Sequence, residues 1–213
     1  MIEIIRHYES LAAYQRAIKK QVRAQTFRVL AVCTPGFETV LAQELVALGV
    51  SLDQQTAILG GIEWVTSLSA LFDACLRLGT ANRLWLRLAE FRAGASEELF
   101  AKSLAIPWEL WFDQKTPVMI RSTVRYSRLS HEGRVSQTIE QAIRRRFEAV
   151  SGPTALDQAD PALLLVQVNH NHVQISLDAS GAPHFQRGYR VAGGRQRAGL
   201  RVFLIVWTDD VFP

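Results

Sequence analysis

Apolar residues switch repeatedly between helical and strand spacing along this chain. Between residues 8 and 24 they recur every three or four positions, which predicts an amphipathic helix at the N-terminus. Strand spacing follows at 27–32, 58–65 and 83–91, with helical spacing between the strands. Strands and helices that alternate in this way are typical of a ferredoxin-like sandwich.

Turn-forming residues mark the ends of several of these elements. We expect Thr34 to cap the first helix of the sandwich, with Pro35 in its first turn, because a proline there loses no hydrogen bond. Gly49 is expected to end the same helix. The glycine pair 60–61 interrupts a strand pattern, which indicates a bulge or a close approach of two backbones.

A second series of elements follows a joint at residues 94–95. An aromatic hinge is expected at 107–112, and a loop at 130–133. The pattern predicts helices at 96–105 and 135–150, a strand at 118–124, and a hairpin of strands 163–168 and 173–177. The fold class is therefore α/β (α+β), with two packed units joined near residue 94.

Composition agrees with a folded and mildly basic protein. Of 213 residues 48% are hydrophobic, and the formal net charge is +4. Seven arginines lie between Arg121 and Arg146 with only Glu132 and Glu140 as acids, and five more lie between Arg187 and Arg201 with none. This uneven distribution favours a surface that faces a polyanion. For the run 144–146 a solvated helix face is an equal alternative.

Other classes of protein find little support in the sequence. Cys33 and Cys75 stand apart in apolar surroundings, as buried thiols of a reducing compartment do. No apolar run approaches the roughly 20 residues of a membrane span, and a signal peptide is absent, so we expect a cytoplasmic protein without membrane contact. His170 and His172 have no carboxylate or cysteine cluster near them, so a metal site is not expected.

The candidate chemistry is nucleic-acid binding. Arginine holds phosphate through paired hydrogen bonds, and tyrosine stacks on unpaired bases. The alternative for Tyr126 is a packed edge of the core, and the tryptophans 64, 85, 108 and 111 are expected to be core residues. The RNA-binding candidates are Arg121, Arg125, Tyr126, Arg128, Arg187, Tyr189 and Arg190.

Five segments, in order and at compatible spacing, resemble the bacterial THUMP-containing rRNA (guanine-N2) methyltransferases. They are 34–45, 60–64, 75–83, 157–163 and 177–190, and the last contains Leu-Asp-Ala-Ser-Gly followed by Arg-Gly-Tyr-Arg. The resemblance implies a ferredoxin-like domain and then a THUMP domain, which is an RNA-binding module. The domains are expected at 1–26 (helical extension), 27–93 (ferredoxin-like), 94–190 (THUMP) and 191–213 (atypical tail).

The chain departs from the family in two places. Gly79 stands where the family usually has arginine, so a role for that arginine does not carry over. In the family a linker helix and a Rossmann-like methyltransferase domain follow, whereas 191–213 matches neither. The chain has no glycine-rich cofactor loop and no adjacent prolines, so we expect no catalytic residue and no cofactor in it. S-adenosylmethionine would enter only with a methyltransferase domain supplied elsewhere.

The sequence is compatible with two functions. The first is an RNA-binding module that resembles the non-catalytic N-terminal half of an rRNA methyltransferase and positions structured RNA, ribosomal RNA above all, for a methyltransferase domain. The second is a protein-interaction or assembly module without RNA binding, which would dock through the apolar segment 202–207. Whether the chain belongs to an enzyme depends on that missing domain.

The absence of a cofactor loop gives a direct prediction. S-adenosylmethionine titrated into this chain should release no heat of binding in a calorimeter. Binding in the micromolar range would contradict the prediction and would require a cofactor site that the sequence pattern does not contain.

Overall fold

The computed structural model describes residues 16 and 20 and the ranges 26–112, 114–149 and 161–181. The predicted helix at 8–24 lies outside these residues, apart from the two single positions. The predicted RNA-binding residues Arg187, Tyr189 and Arg190 and the tail 191–213 lie outside them as well. The chain divides into two compact units, and the division falls between Arg87 and Leu88.

The first unit has the order of elements that defines a ferredoxin-like sandwich. Its strands are arranged β2-β3-β1-β4, and each neighbouring pair with a recorded register is antiparallel. Two helices connect them, so the expected architecture is confirmed. The elements are β1 (Thr26–Val32), α1 (Glu38–Ala47), β2 (Thr56–Ile58), β3 (Gly61–Ser67), α2 (Leu68–Arg77) and β4 (Arg83–Arg92).

The second unit contains a parallel strand pair joined by a long helix. β5 (Val118–Arg125) pairs parallel with β6 (Ala162–Asn169), and β6 pairs antiparallel with β7 (His172–Asp178). The helix α4 (Glu132–Ala149) connects β5 to β6, and α3 (Ser96–Leu104) follows β4. The strand order is β4-β7-β6-β5, so β5 lies at the end.

The division within β4 differs from the expected joint at residues 94–95. Arg83–Arg87 belong to the first unit, and the rest of the strand belongs to the second. Residues 178–181, which the sequence boundaries assign to the second domain, group with the first unit. The strand periodicity of β4 continues across residues 87 and 88, so a boundary inside the strand leaves no sign in the sequence. The sequence pattern therefore places the joint after the strand.

Two local predictions in the first unit were wrong. Thr34 does not cap α1, because the helix begins at Glu38 and residues 34–36 form a turn in which Phe37 N–H donates to the Thr34 carbonyl at 3.0 Å. The strand predicted at 58–65 is a hairpin, with Gly60 at φ +77° in its turn. The close backbone approach expected of the glycine pair is nevertheless present.

In place of the expected threonine cap, the Glu38 carboxylate forms hydrogen bonds with backbone groups before α1 and in the β2–β3 turn. It accepts hydrogen bonds from Gly60 N–H at 2.8 Å and from Gly36 N–H at 2.7 Å. The bond from Gly60, more than any other influence, lowers the pKa of Glu38. One carboxylate therefore joins the turn before α1 to the β2–β3 hairpin.

The core of each unit is formed by the apolar faces that the periodicity predicts. In the first unit Leu41, Leu45 and Leu71 pack from the helices onto the sheet, and Cys33 and Cys75 are buried free thiols as expected. In the second unit the aromatic hinge is a buried cluster, in which the Phe112 ring lies 5.9 Å from the rings of both Trp108 and Phe147. The four tryptophans expected in the core are all buried.

Gly61 offers a test of the close approach between β3 and β1. A Cβ atom at Gly61 would lie 2.5 Å from the Ala31 carbonyl oxygen, which is backbone and cannot rotate away. Gly61→Ala should therefore lower the free energy of unfolding by about 1–3 kcal/mol, as overpacking does. Urea denaturation followed by circular dichroism measures this change.

Gly133 is the matched control for this substitution. It lies in the first turn of α4, and an added Cβ would meet nothing within 4 Å. Gly133→Ala should leave the protein as stable as before or more stable by up to about 1 kcal/mol, because alanine favours a helix. Equal midpoints for the two variants would mean that β3 and β1 do not approach as described.

Candidate nucleic-acid interface

Two of the predicted arginines project from one face of β5. Its residues alternate between half-buried and exposed, and Arg121, Thr123 and Arg125 are on the exposed side. Alternate residues of a strand point to the same face, so both guanidinium groups lie on that face. Arg121 is in register with Leu165 of β6, and Arg125 with Asn169.

The opposite face of β5 is fixed to α4. Ser122 Oγ and Ser136 Oγ lie 2.6 Å apart, and Val124 N–H donates to the Glu132 carboxylate at 3.3 Å. The beginning of the long helix is thereby held beside the carboxyl end of β5. That position brings the loop 126–131 and the first turn of α4 together.

Tyr126 lies directly after β5 and is not a packed edge of the core. Its side chain is 80% exposed, and its ring stacks on His170 with centroids 5.2 Å apart and planes 29° apart. Its backbone has φ +49°, a left-handed conformation that is unfavourable for a bulky residue. Such a conformation costs on the order of 1–3 kcal/mol and persists only where neighbouring contacts impose it.

The side chain of Asn171 supplies those contacts. Its Oδ1 accepts hydrogen bonds from Ser127 Oγ at 2.8 Å and from Arg128 N–H at 2.9 Å. Its backbone carbonyl accepts from Ala93 N–H at 2.8 Å. Asn171 therefore joins the β6–β7 turn to the loop after β5 and to the end of β4.

Arg128 contributes to a cavity of about 110 Å³ at the N-terminal ends of α3 and α4. His131 and Arg134 also line it, together with Gly94 and Ser96. Helix N-termini carry partial positive charge, and with arginine beside them they favour an anion. The Glu98 carboxylate in the first turn of α3 accepts a hydrogen bond from Gly94 N–H at 2.9 Å.

The arginines around the carboxyl end of β5 differ from the other arginines in their pairing. In the described ranges no carboxylate forms an ion pair with Arg121, Arg125, Arg128 or Arg134. Among the described residues their guanidinium groups are therefore not paired with acids. We call these four residues the β5 arginine cluster.

The run 144–146 shows the opposite behaviour. Arg144 pairs with Glu140 and Arg145 with Glu148, each at 3.0 Å on the exposed side of α4. For these two residues the solvated helix face is confirmed. Each of these two arginines therefore has an acid within one helical turn on the same face of α4.

Arg146 is a core residue. It and Glu109 are each 2% exposed, and two hydrogen bonds of 2.6 Å join the guanidinium to the carboxylate. A third bond of 3.0 Å reaches the Leu104 carbonyl. This pair connects α4 to the segment that follows α3, and it is not available to a ligand.

The described part of the segment 177–190 is structural. Asp178 pairs with Arg83 and accepts Ser180 N–H at 2.9 Å, and Ser180 Oγ accepts Leu84 N–H at 2.7 Å. Burial raises the pKa of Asp178, although Arg83 opposes that shift. Asp178 and Ser180 therefore bind the beginning of β4, and the RNA-binding expectation rests on residues beyond the described part of this segment.

Four residues of this region were not among the RNA-binding candidates predicted from the sequence, although Arg134 was counted in the basic stretch 121–146. His131 and Arg134 continue the spacing of three from Arg128, a pattern that crosses from the loop into α4. His170 and Asn171 both have positive φ, at +49° and +61°, as a two-residue type I′ turn requires. Asparagine at position 171 was the sequence feature that could have indicated this turn type. The stacking of His170 on Tyr126 could not be predicted in this way, because it depends on the fold.

The residues that the structure describes contain no group of three or more His, Cys, Asp or Glu side chains able to hold a metal ion. Within the same ranges no helix has both the length and the apolar character needed to cross a membrane.

Comparison with known proteins assigns both parts of the chain. Residues 28–85 match the model of the RlmL ferredoxin-like domain, and residues 95–178 match that of the THUMP domain. The chain carries an RlmL ferredoxin-like domain followed by a THUMP domain. It matches the N-terminal portion of RlmKL-type rRNA methyltransferases, as the resemblance implied.

Several similar proteins are described as ribosomal RNA large subunit methyltransferase K/L, among them those of two bacteria. The protein of Syntrophotalea carbinolica is 29% identical over 168 residues, which is 78% of this chain and 23% of the relative. That of Allochromatium vinosum is 31% identical over 157 residues, 73% of this chain and 21% of the relative. The chain thus spans less than a quarter of the length of either.

A solved structure shares the fold over most of the chain. The crystal structure of a predicted N6-adenine-specific DNA methylase from Listeria monocytogenes superposes with a TM-score of 0.68 at 26% identity. The match covers 87% of this chain and 47% of that one. The β5 arginine cluster therefore belongs to a THUMP domain in a fold shared with larger proteins.

Substitutions can distinguish the stabilising role of the buried Arg146–Glu109 pair of the THUMP domain from the small effect of the exposed arginines on stability. Arg146→Met should lower the free energy of unfolding by about 3–5 kcal/mol, because it leaves the Glu109 charge buried and unpaired. Adding Glu109→Leu should recover most of that loss. Urea denaturation of both variants provides the measurement, and Arg144→Met is the control, expected to change stability by less than about 0.5 kcal/mol. A double variant as unstable as the single one would contradict the assignment.

Proposed function

We propose that this chain binds structured RNA, ribosomal RNA above all, and holds it for a methyltransferase domain supplied in cis or in trans. The observation that carries the proposal is the β5 arginine cluster, four arginines of the THUMP domain that form no ion pair with any carboxylate in the described part of the chain. The relatives named as ribosomal RNA methyltransferases support the choice of RNA. We propose the domain limits 27–93 and 94–190 for the two parts.

The arrangement of the cluster suits a phosphate backbone. Arg121 and Arg125 lie on the open face of β5, whereas Arg128 and Arg134 line the cavity at the helix N-termini. A polyanion that follows the carboxyl end of β5 meets positive charge on both sides of the strand. Contacts of this kind give affinity that depends on salt, while the shape of the RNA provides most of the selectivity.

Sequence and structure together extend the proposed interface beyond the cluster. Tyr126 offers an exposed ring between Arg125 and Arg128. Arg187, Tyr189 and Arg190 remain part of the proposal as sequence predictions outside the described residues. We assign no catalytic group or cofactor site to the chain, so the methyl transfer itself would depend on another domain.

The role of such a module is to raise the local concentration of the substrate at a catalytic domain. Once RNA is held by one module, the second encounter becomes intramolecular, and affinity gained at the first site contributes to the second. We therefore expect the chain to affect RNA affinity and the choice of site rather than the chemistry of the methyl group.

The cluster can be tested by removing two of its charges. Arg125→Ala combined with Arg128→Ala should weaken binding to large-subunit ribosomal RNA fragments and flatten its salt dependence. Each lost phosphate contact lowers the slope of log K against log salt by about 0.7–0.9, so two should lower it by about 1.4–1.8. Filter binding at several salt concentrations measures both quantities.

Arg144→Ala with Arg145→Ala is the matched control. It removes the same charge from the same domain, but these arginines are paired with acids on α4. Affinity and slope should change much less than in the cluster variant, and both variants should unfold at urea midpoints close to that of the unmodified chain. If the cluster variant keeps its affinity and slope, RNA binds elsewhere; if the unmodified chain binds no RNA, the protein-interaction function becomes the better hypothesis.

A further inference from the structure

The stacked side chains of Tyr126 and His170 form an exposed aromatic surface beside the β5 arginine cluster. In the described part of the second unit the large apolar side chains that are exposed are Met119 and Tyr126, and Tyr126 is the more exposed at 80%. The ring is supported from one side by His170, with 5.2 Å between centroids. A supported, solvent-facing ring is the arrangement that stacks on a nucleobase.

We propose that Tyr126 and His170 form a stacking platform for an unpaired base of the bound RNA, and that Asn171 is the residue that positions it. The inference rests on the proposed function and deepens it, because it specifies an unpaired nucleotide next to a helical stem as the feature that is recognised. Bases inside a stem are already stacked on both faces, so an exposed ring takes a base that has left the helix in preference to one inside it.

The geometry of the platform is fixed by contacts within the chain. Tyr126, His170 and Asn171 all have positive φ. The Asn171 side chain holds the loop through Ser127 Oγ and Arg128 N–H, and the His170 N–H donates to the Arg125 carbonyl at 3.2 Å. A group already fixed in its bound geometry loses little conformational freedom on binding.

The neighbouring charges fit a nucleotide on this ring. Arg125 precedes Tyr126 and Arg128 follows it closely, and neither forms an ion pair in the described ranges. The phosphates on both sides of a stacked base can therefore be met by arginine. Stacking of this kind tolerates any base, because every base has a π face.

Two RNA duplexes that differ by one nucleotide test the platform. One carries a single unpaired 2-aminopurine in a bulge, and the other is the same duplex fully paired. The unmodified chain should bind the bulged duplex more tightly and quench its 2-aminopurine fluorescence. Tyr126→Leu should weaken binding of the bulged duplex by about 5- to 100-fold, abolish the quenching and leave the paired duplex within about twofold.

Further variants separate stacking from folding. Tyr126→Phe keeps the ring and should keep both the preference and the quenching. Tyr126→Gly should lose both while unfolding at the same or a higher urea concentration, because glycine accepts positive φ without strain. Asn171→Gly retains the turn but removes the amide, and should reduce the preference for the bulge. Phe37→Leu, which removes a 52% exposed ring in the first unit, is the control and should change nothing.

The outcomes distinguish this inference from the proposed function. Equal losses on both duplexes, or quenching that survives in Tyr126→Leu, would overturn the platform while RNA binding stands. Tight binding to both duplexes without any preference would overturn it as well. If the unmodified chain binds neither duplex but binds the ribosomal RNA fragments, the platform is overturned while RNA binding stands; if it binds none of these RNAs, the proposed function and the platform are overturned together.

Discussion

The carboxamide and the backbone carbonyl of Asn171 hold the candidate interface together. Three segments distant in sequence meet there: the end of β4 through Ala93, the loop after β5 through Ser127 and Arg128, and the β6–β7 turn itself. A carboxamide suits this position because its oxygen accepts two hydrogen bonds and asparagine tolerates positive φ better than most residues. The orientation of Tyr126 and Arg128 follows from this residue more than from their own packing.

Periodicity in the sequence was sufficient for the long elements and for the ferredoxin-like order, because burial of one face imposes the spacing directly. It failed where a partner lies far away in the chain. At the start of α1 the Glu38 carboxylate accepts a hydrogen bond from the distant Gly60 N–H. The short strand β2 is stabilised by its backbone pairing with β3. The run 144–146 looks uniform, yet Arg146 follows Ile139 by two helical turns and so faces the core, where Glu109 meets it.

The segments that reveal the family relationship are largely structural. Glu38 and Glu44 bind backbone N–H groups of distant turns, Gly61 admits the neighbouring strand, and Asp178 fastens to Arg83. The β5 arginine cluster and Tyr126 lie between these segments rather than within them. The resemblance was therefore sufficient to identify the fold. The candidate site among the described residues could be identified only from the geometry around β5.

The position of β5 at the end of the strand order gives its arginines a second effect. Among the described residues β5 has a strand neighbour on one edge alone, and the sequence Val-Met-Ile-Arg-Ser-Thr-Val from residue 118 has high strand propensity. Such an edge can template intermolecular pairing, and charged side chains on it are a common protection. Arg121 and Arg125 place two positive charges on this strand, as gatekeeper residues beside hydrophobic strands do. A chain that lost both to apolar residues would risk assembling edge to edge with copies of itself, whatever became of its affinity for RNA.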